Sequence, residues 1–137
     1  MRKLLITLFL FGPFSVSLHA DEALVLIGHS TLQKTDLATL QRLYRGRVVS
    51  LNQQAATPFN LPPGHPLREQ FLDNILTQNE EQYSAYWLVR RYVGKGTPPQ
   101  ELSSPEEIIR AVSTIPGAVG YVPLSKVPAG SNIIFKR

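Results

Sequence analysis

The sequence predicts an α/β domain, a mixed sheet flanked by helices, and three observations carry that reading. Ala23-Leu24-Val25-Leu26-Ile27-Gly28 is an unbroken apolar run closed by glycine. Such a run suits a central strand buried on both faces, because a half-exposed strand would alternate. Downstream, apolar residues recur at helical spacing in four stretches separated by glycine, proline and asparagine. Two further short runs, Ala118–Val122 and Ser131–Lys136, have strand patterns. Strands alternating with helices build layered α/β domains. No repeat, linker or low-complexity tract divides the chain, so one domain is expected.

Residues 1–20 read as a secretory signal peptide. Arg2 and Lys3 form its positive start, Leu4 to Phe11 its apolar stretch, and Ser17-Leu18-His19-Ala20 a cleavage site. The apolar stretch is short for a membrane span and Pro13 interrupts it. Cleavage is expected to leave residues 21–137 as the domain, with no stable membrane span, in the periplasm of a Gram-negative bacterium or secreted. The chain has no cysteine, which excludes a lipid anchor and disulfides and leaves stability to packing. Of the formal charge of +4, Arg2 and Lys3 supply two, so the remainder is +2. So small a charge on an exported chain argues against a nucleic-acid partner.

After the first strand, Asp36 to Arg45 reads as a helix with Leu37, Leu40, Leu43 and Tyr44 inward. Thr35 is its expected N-cap and Gly46 its left-handed C-cap. Arg47 to Leu51 is a strand or hairpin arm. Ala56 to Leu61 is a second extended segment, which Pro58 confines to an edge or a strand start. Pro62-Pro63-Gly64 turns the chain into a helix from His65-Pro66 to about Thr77, with Leu67, Phe71, Leu72, Ile75 and Leu76 as its stripe. Asn79 caps the next helix, whose first-turn Glu80 and Glu81 suit the helix dipole. Tyr83, Tyr86, Trp87 and Arg90 follow at helical spacing, joined by Val89 and Tyr92, and Gly94 ends the helix. This aromatic stripe is read as core, with tyrosine hydroxyls reaching its rim. Ser104, Pro105 and Glu107 open the last helix as a capping box, and Ile108, Ile109, Ala111 and Val112 are its buried face. Pro116-Gly117 stops it, and Gly120 in the following strand marks close approach by another backbone.

Two groups of residues could carry binding chemistry. The helix tip at Pro66 offers unpaired amides and a positive dipole end. There Gly64 permits close approach, His65 sits at the cap, and Arg68 supplies a guanidinium fork that matches phosphate, sulfate or carboxylate. The alternative is a surface Arg68 that pairs with Glu69, Asp73 or another helix dipole. The second group is Arg42, Arg45 and Arg47, a basic surface for an acidic partner or a membrane phosphate, or a solvated helix end. Neither His29 nor His65 lies in a motif with a serine and a carboxylate, so no catalytic residue is assigned. Their separation and the lack of clustered acids give no metal site.

The segment Ser104 to Val122, a helix ending in Ile115-Pro116-Gly117-Ala118-Val119-Gly120-Tyr121-Val122, resembles the second lobe of the periplasmic phosphate-binding proteins of bacterial ABC transporters. That lobe carries a similar GAIGY segment. Asp36 to Arg47 is similar to the family's L-x-x-I-F-x-G-x helix and turn. The resemblance runs from Ala23 to Ile134. It implies a single periplasmic-binding-protein-like lobe and a non-catalytic module that binds phosphate or another small anion, without a cofactor. The family's lobe uses an arginine and then Ser-Gly-Thr at the start of the Pro66 helix. With Phe71 aligned to the helix phenylalanine, those positions fall on Leu61 and on His65, Pro66 and Leu67. None keeps the family's ligand group, which leaves Arg68, one position on, as the substitute. The alternative is an envelope interaction or sensory accessory protein. Such a chain would dock a partner protein, or homodimerise, through the face that a second lobe would cover.

Overall fold

The computed structural model describes Gly12 and residues 22–137. The expected signal peptide, Gly12 apart, lies outside the described residues. The first strand, β1 (Leu24–Gly28), is buried at all five positions, as its unbroken apolar run requires. A loop leads into helix α1 (Leu37–Tyr44). Asp36, not Thr35, caps α1: its Oδ1 accepts the Thr39 N–H at 2.7 Å. A carboxylate at the cap satisfies an orphan amide and also complements the helix dipole, so it displaces the neutral hydroxyl one residue earlier. Gly46 follows in the left-handed region at φ 68°, and a Cβ there would meet the Trp87 ring at 2.6 Å.

The expected arm at Arg47–Leu51 is a full hairpin, β2 (Ser50–Leu51) and β3 (Gln54–Ala55). Asn52 and Gln53 turn it, both at positive φ, as a two-residue hairpin turn demands. Next come β4 (Thr57–Asn60) and α2 (Pro66–Phe71). α2 continues as a wider turn over Leu72–Leu76 and ends at Thr77 in a left-handed conformation. Asn79 and Gln82 form a reciprocal capping box at the start of α3 (Glu80–Tyr92). Then follow β5 (Gln100–Glu101), α4 (Pro105–Thr114), β6 (Ala118–Pro123) and β7 (Asn132–Lys136). Ser104 caps α4 as expected, through the Glu107 N–H. Glu107 reaches back one residue further than the predicted box, to the Ser103 N–H at 2.8 Å.

The five-stranded sheet has the order β5-β4-β6-β1-β7. β1 is antiparallel to β6 and β7, while β4 is parallel to β6 and β5. The sheet is therefore mixed, with helices packed on it, as the sequence predicts. Pro58 stands where β5 does not reach, since β5 pairs only with Phe59 and Asn60. Its missing N–H thus breaks no ladder bond on that side. Gly120 is needed for a helix side chain rather than for a second backbone: an added Cβ would lie 2.3 Å from Ile108 Cγ2 on α4.

The core lies where the sheet meets α1 and α2 and, through Ile108, Ala111 and Val112, α4. Phe71 and Tyr121 stack at 4.1 Å with planes 5° apart, and Tyr44 closes on Phe71 at 4.6 Å. The Tyr44 hydroxyl donates to the Phe59 carbonyl at 2.8 Å, so its polar end is satisfied inside. The last carbonyls of the α2 turn are capped from α1: Gln41 Nε2 donates to Ile75 O at 2.8 Å and Arg45 Nη2 to Leu76 O. The aromatic stripe of α3 is core only in part. Tyr83 and Trp87 are buried, but Tyr92 is 91% exposed, and Leu88, Val89 and Val93 are exposed beside it.

Candidate functional site

The α2 tip is built by a tight turn, with the His65 N–H on the Pro62 carbonyl at 3.1 Å and Gly64 at φ 87°. His65 caps α2 with its own ring, since Nδ1 accepts the Leu67 N–H at 3.1 Å. Pro66 has no N–H to offer. Two of the first positions that could present amides to an anion are thereby already spent.

Arg68 sits one position further on and turns inward. It is 4% exposed, which a charged side chain tolerates only when paired. Nε and Nη2 grip Glu80 in a bidentate pair at 2.9 and 2.7 Å. Nη1 reaches Glu101 at 2.7 Å and the Leu61 carbonyl at 3.0 Å. The guanidinium carbon stands 5.2 Å from the Tyr83 ring centroid. Burial acts to lower the Arg68 pKa, but Glu80, Tyr83 and Glu101 outweigh it and the net shift is upward. One cation therefore joins α2, α3 and β5, facing two carboxylates. Its partners are Glu80 and Glu101, not the Glu69 or Asp73 considered from sequence.

Behind Arg68 runs a buried polar network. Asn60, 1% exposed, donates from Nδ2 to the Tyr83 hydroxyl at 3.3 Å, and its Oδ1 accepts the Leu61 N–H at 2.9 Å. The Tyr121 hydroxyl donates to the same Oδ1. Burial pushes the hydroxyl pKa values of Tyr44, Tyr83 and Tyr121 upward, so all three stay neutral. Sequence reasoning missed Asn60, Glu80 and Glu101. Glu80 had a sufficient local explanation in the helix dipole, and its partner Arg68 lies on a different element.

The second group lies along α1 and the turn after it. Arg42, Arg45 and Arg47 line one cavity of about 530 Å³ together with Gln41, Gln78 and Tyr86. Arg45 is anchored on the Leu76 carbonyl. The Tyr86 hydroxyl donates to the Arg45 carbonyl at 2.7 Å and accepts from Arg47 Nε at 3.5 Å. Arg42 reaches only the Thr39 hydroxyl, at 3.4 Å. Among the described residues, ion pairs join Arg68 to Glu80 and Glu101 and Lys126 to Glu106; none includes these three arginines. Arg90 instead donates to the Gly46 carbonyl at 3.0 Å and lies 5.6 Å from the Tyr86 and Trp87 rings. His29 ends β1 in a local hydrogen bond with the Thr31 hydroxyl at 3.0 Å. Among the described residues no three His, Cys, Asp or Glu side chains gather as metal ligands, and no helix is long and apolar enough to cross a membrane.

The mixed sheet and its flanking helices have the fold of a periplasmic-binding-protein-like lobe. Two solved structures share it. An ABC-type phosphate transport receptor from Vibrio cholerae superposes with a TM-score of 0.62 over 82% of this chain and 45% of its own, at 13% identity. A Clostridium perfringens protein, assigned as a phosphate ABC transporter substrate-binding protein and solved with bound phosphate, gives a TM-score of 0.62 over 82% of this chain and 44% of its own, at 16% identity. This chain thus spans less than half the length of either. Identities this low carry the fold and not the ligand. No protein-family model and no curated protein matches the chain.

Proposed function

We propose that this chain is a non-catalytic binding module of the periplasm, a single lobe that captures a small oxyanion, with phosphate the first candidate. The observation that carries the reading is the shared fold over 82% of the chain with a phosphate transport receptor. At the Gly64–His65–Arg68 tip an anion would have to displace Glu101, whose side chain is 45% exposed against 32% for Glu80. Titration calorimetry of residues 21–137 at low ionic strength, with phosphate, sulfate and small carboxylates, tests the reading. Saturable heat with at least one of them is expected; no heat with any would remove it.

A second reading, a docking or homodimerising accessory protein, is favoured by one observation. Leu88, Val89, Tyr92 and Val93 are exposed together at the end of α3, and a contiguous apolar patch of this kind suits a protein partner. Sedimentation over a range of concentrations separates the two, since a monomer throughout leaves homodimerisation without support.

A further inference from the structure

We infer that the oxyanion site of this chain is the cavity framed by Arg42, Arg45 and Arg47, not the α2 tip, and that it takes a phosphate-type group. The inference rests on the binding-module reading and changes where that module binds. Arg42, Arg45 and Arg47 all line one cavity of about 530 Å³, a volume within the range of small-molecule sites. None has a carboxylate partner among the described ion pairs. Asp36 at the start of α1 is the acid that Arg42 feels, but without forming an ion pair with it. Like charges held together repel, so this cluster favours a bound anion in a way that the doubly compensated Arg68 cannot. The geometry is preset at Arg45, which is held by the Leu76 carbonyl. Arg47 makes only a long contact, 3.5 Å, to the Tyr86 hydroxyl, itself fixed on the Arg45 carbonyl. Anchoring lowers the entropy lost when the forks close on a ligand. Arg42, tied only by its long contact to Thr39, is free to swing onto it.

Gln78 adds a second kind of group. Gln78 lines the same cavity, and its Oε1 is shut off from solvent and has no donor. A buried acceptor without a donor is costly. Inorganic phosphate and its monoesters present charged oxygens for the arginines. A guanidinium fork spans two phosphate oxygens, whereas an ammonium would meet them as a point charge. The phosphate could be free or could be a lipid headgroup, and the chemistry that recognises it is the same.

The test compares the wild-type domain with Arg42→Ala/Arg47→Ala and with a charge-matched control, Arg91→Ala/Lys136→Ala. All four positions are exposed, so both variants should fold, and far-ultraviolet circular dichroism checks that they do. Arg45 is left in place because it caps the α2 turn. Calorimetry with inorganic phosphate and pyrophosphate reads the free-anion arm. Co-sedimentation with phosphatidylglycerol vesicles, against phosphatidylcholine vesicles, reads the lipid arm. We expect Arg42→Ala/Arg47→Ala to raise Kd by about tenfold or more in whichever arm binds, and the control to change it by less than about twofold. Binding should weaken with added salt, as exposed charges require. Equal loss in both variants would mean general charge attraction and would overturn the inference. Full affinity in Arg42→Ala/Arg47→Ala would overturn it too, while leaving the binding-module reading intact. Silence of the wild type in both arms would overturn the inference, while the binding-module reading falls only if sulfate and the small carboxylates are silent as well.

Discussion

Arg68 and Arg47 are the same residue in two opposite situations. Arg68 is buried, gripped by Glu80 and Glu101 and bonded to a backbone carbonyl. Arg47 is exposed and leans on one tyrosine hydroxyl without a carboxylate partner among the described ion pairs. The first has exchanged its hydration for internal contacts and has little left to give a ligand. The second keeps its charge available. Within one chain, then, a guanidinium can be part of the frame or part of a surface, and what decides is whether acids reach it from neighbouring elements.

That contrast can be broken experimentally, and the largest effect belongs to the frame. Arg68→Ala should destabilise the domain by about 3 kcal/mol, because it strands the buried Leu61 carbonyl and leaves two carboxylates facing each other. Urea denaturation measures it, and a loss near zero would make Arg68 a surface residue after all. Glu80→Gln keeps the shape but removes the charge from the bidentate pair. Because Glu80 is partly exposed, the expected loss is smaller, about 1 to 2 kcal/mol. Glu101→Gln, with one contact and a more exposed side chain, should cost less than either in the same denaturation series. Arg42→Ala and Arg47→Ala should each stay within about 0.5 kcal/mol of wild type, the ordinary range of surface substitutions.

A pH series sharpens the same comparison. The carboxyl groups of Asp36 and Glu107 lie below their usual range, because each accepts backbone N–H bonds at a helix start. A folded-state pKa below the unfolded one gives stability that is present above the unfolded value and fades as pH falls through the folded value. Melting temperature should thus decline from about pH 4 downward. Asp36→Asn, which removes the titrating cap, should flatten part of that decline in a series of thermal melts. A wild-type melting temperature that is flat across this window would contradict the assignment.

The sheet and helices were legible in the sequence because burial sets their pattern locally. The unbroken run of β1 gave a strand covered on both faces, and Ser104-Pro105 with Pro116-Gly117 bounded α4 to within a residue or two. A strand or hairpin arm was legible at Arg47–Leu51, but its turn at Asn52-Gln53 was not, since neither residue is a glycine and both adopt positive φ. The neighbour of Gly120 was mistaken for a backbone because a missing Cβ says only that something is close, not what. The α2 tip suffered in a similar way. His65, Pro66 and Arg68 announce a helix start, but nothing nearby reveals that Glu80 and Glu101 lie within reach. The Arg42–Arg45 spacing showed a basic helix face, while its convergence with Arg47, Gln78 and Tyr86 is a tertiary fact.

The most direct test of the central claim watches each guanidinium individually. In nitrogen-15 spectra of arginine side chains, titration with inorganic phosphate should move the Nε–H signals of Arg42 and Arg47 and leave that of Arg68 in place. A shift confined to Arg68, with Arg42 and Arg47 unmoved, would contradict the account.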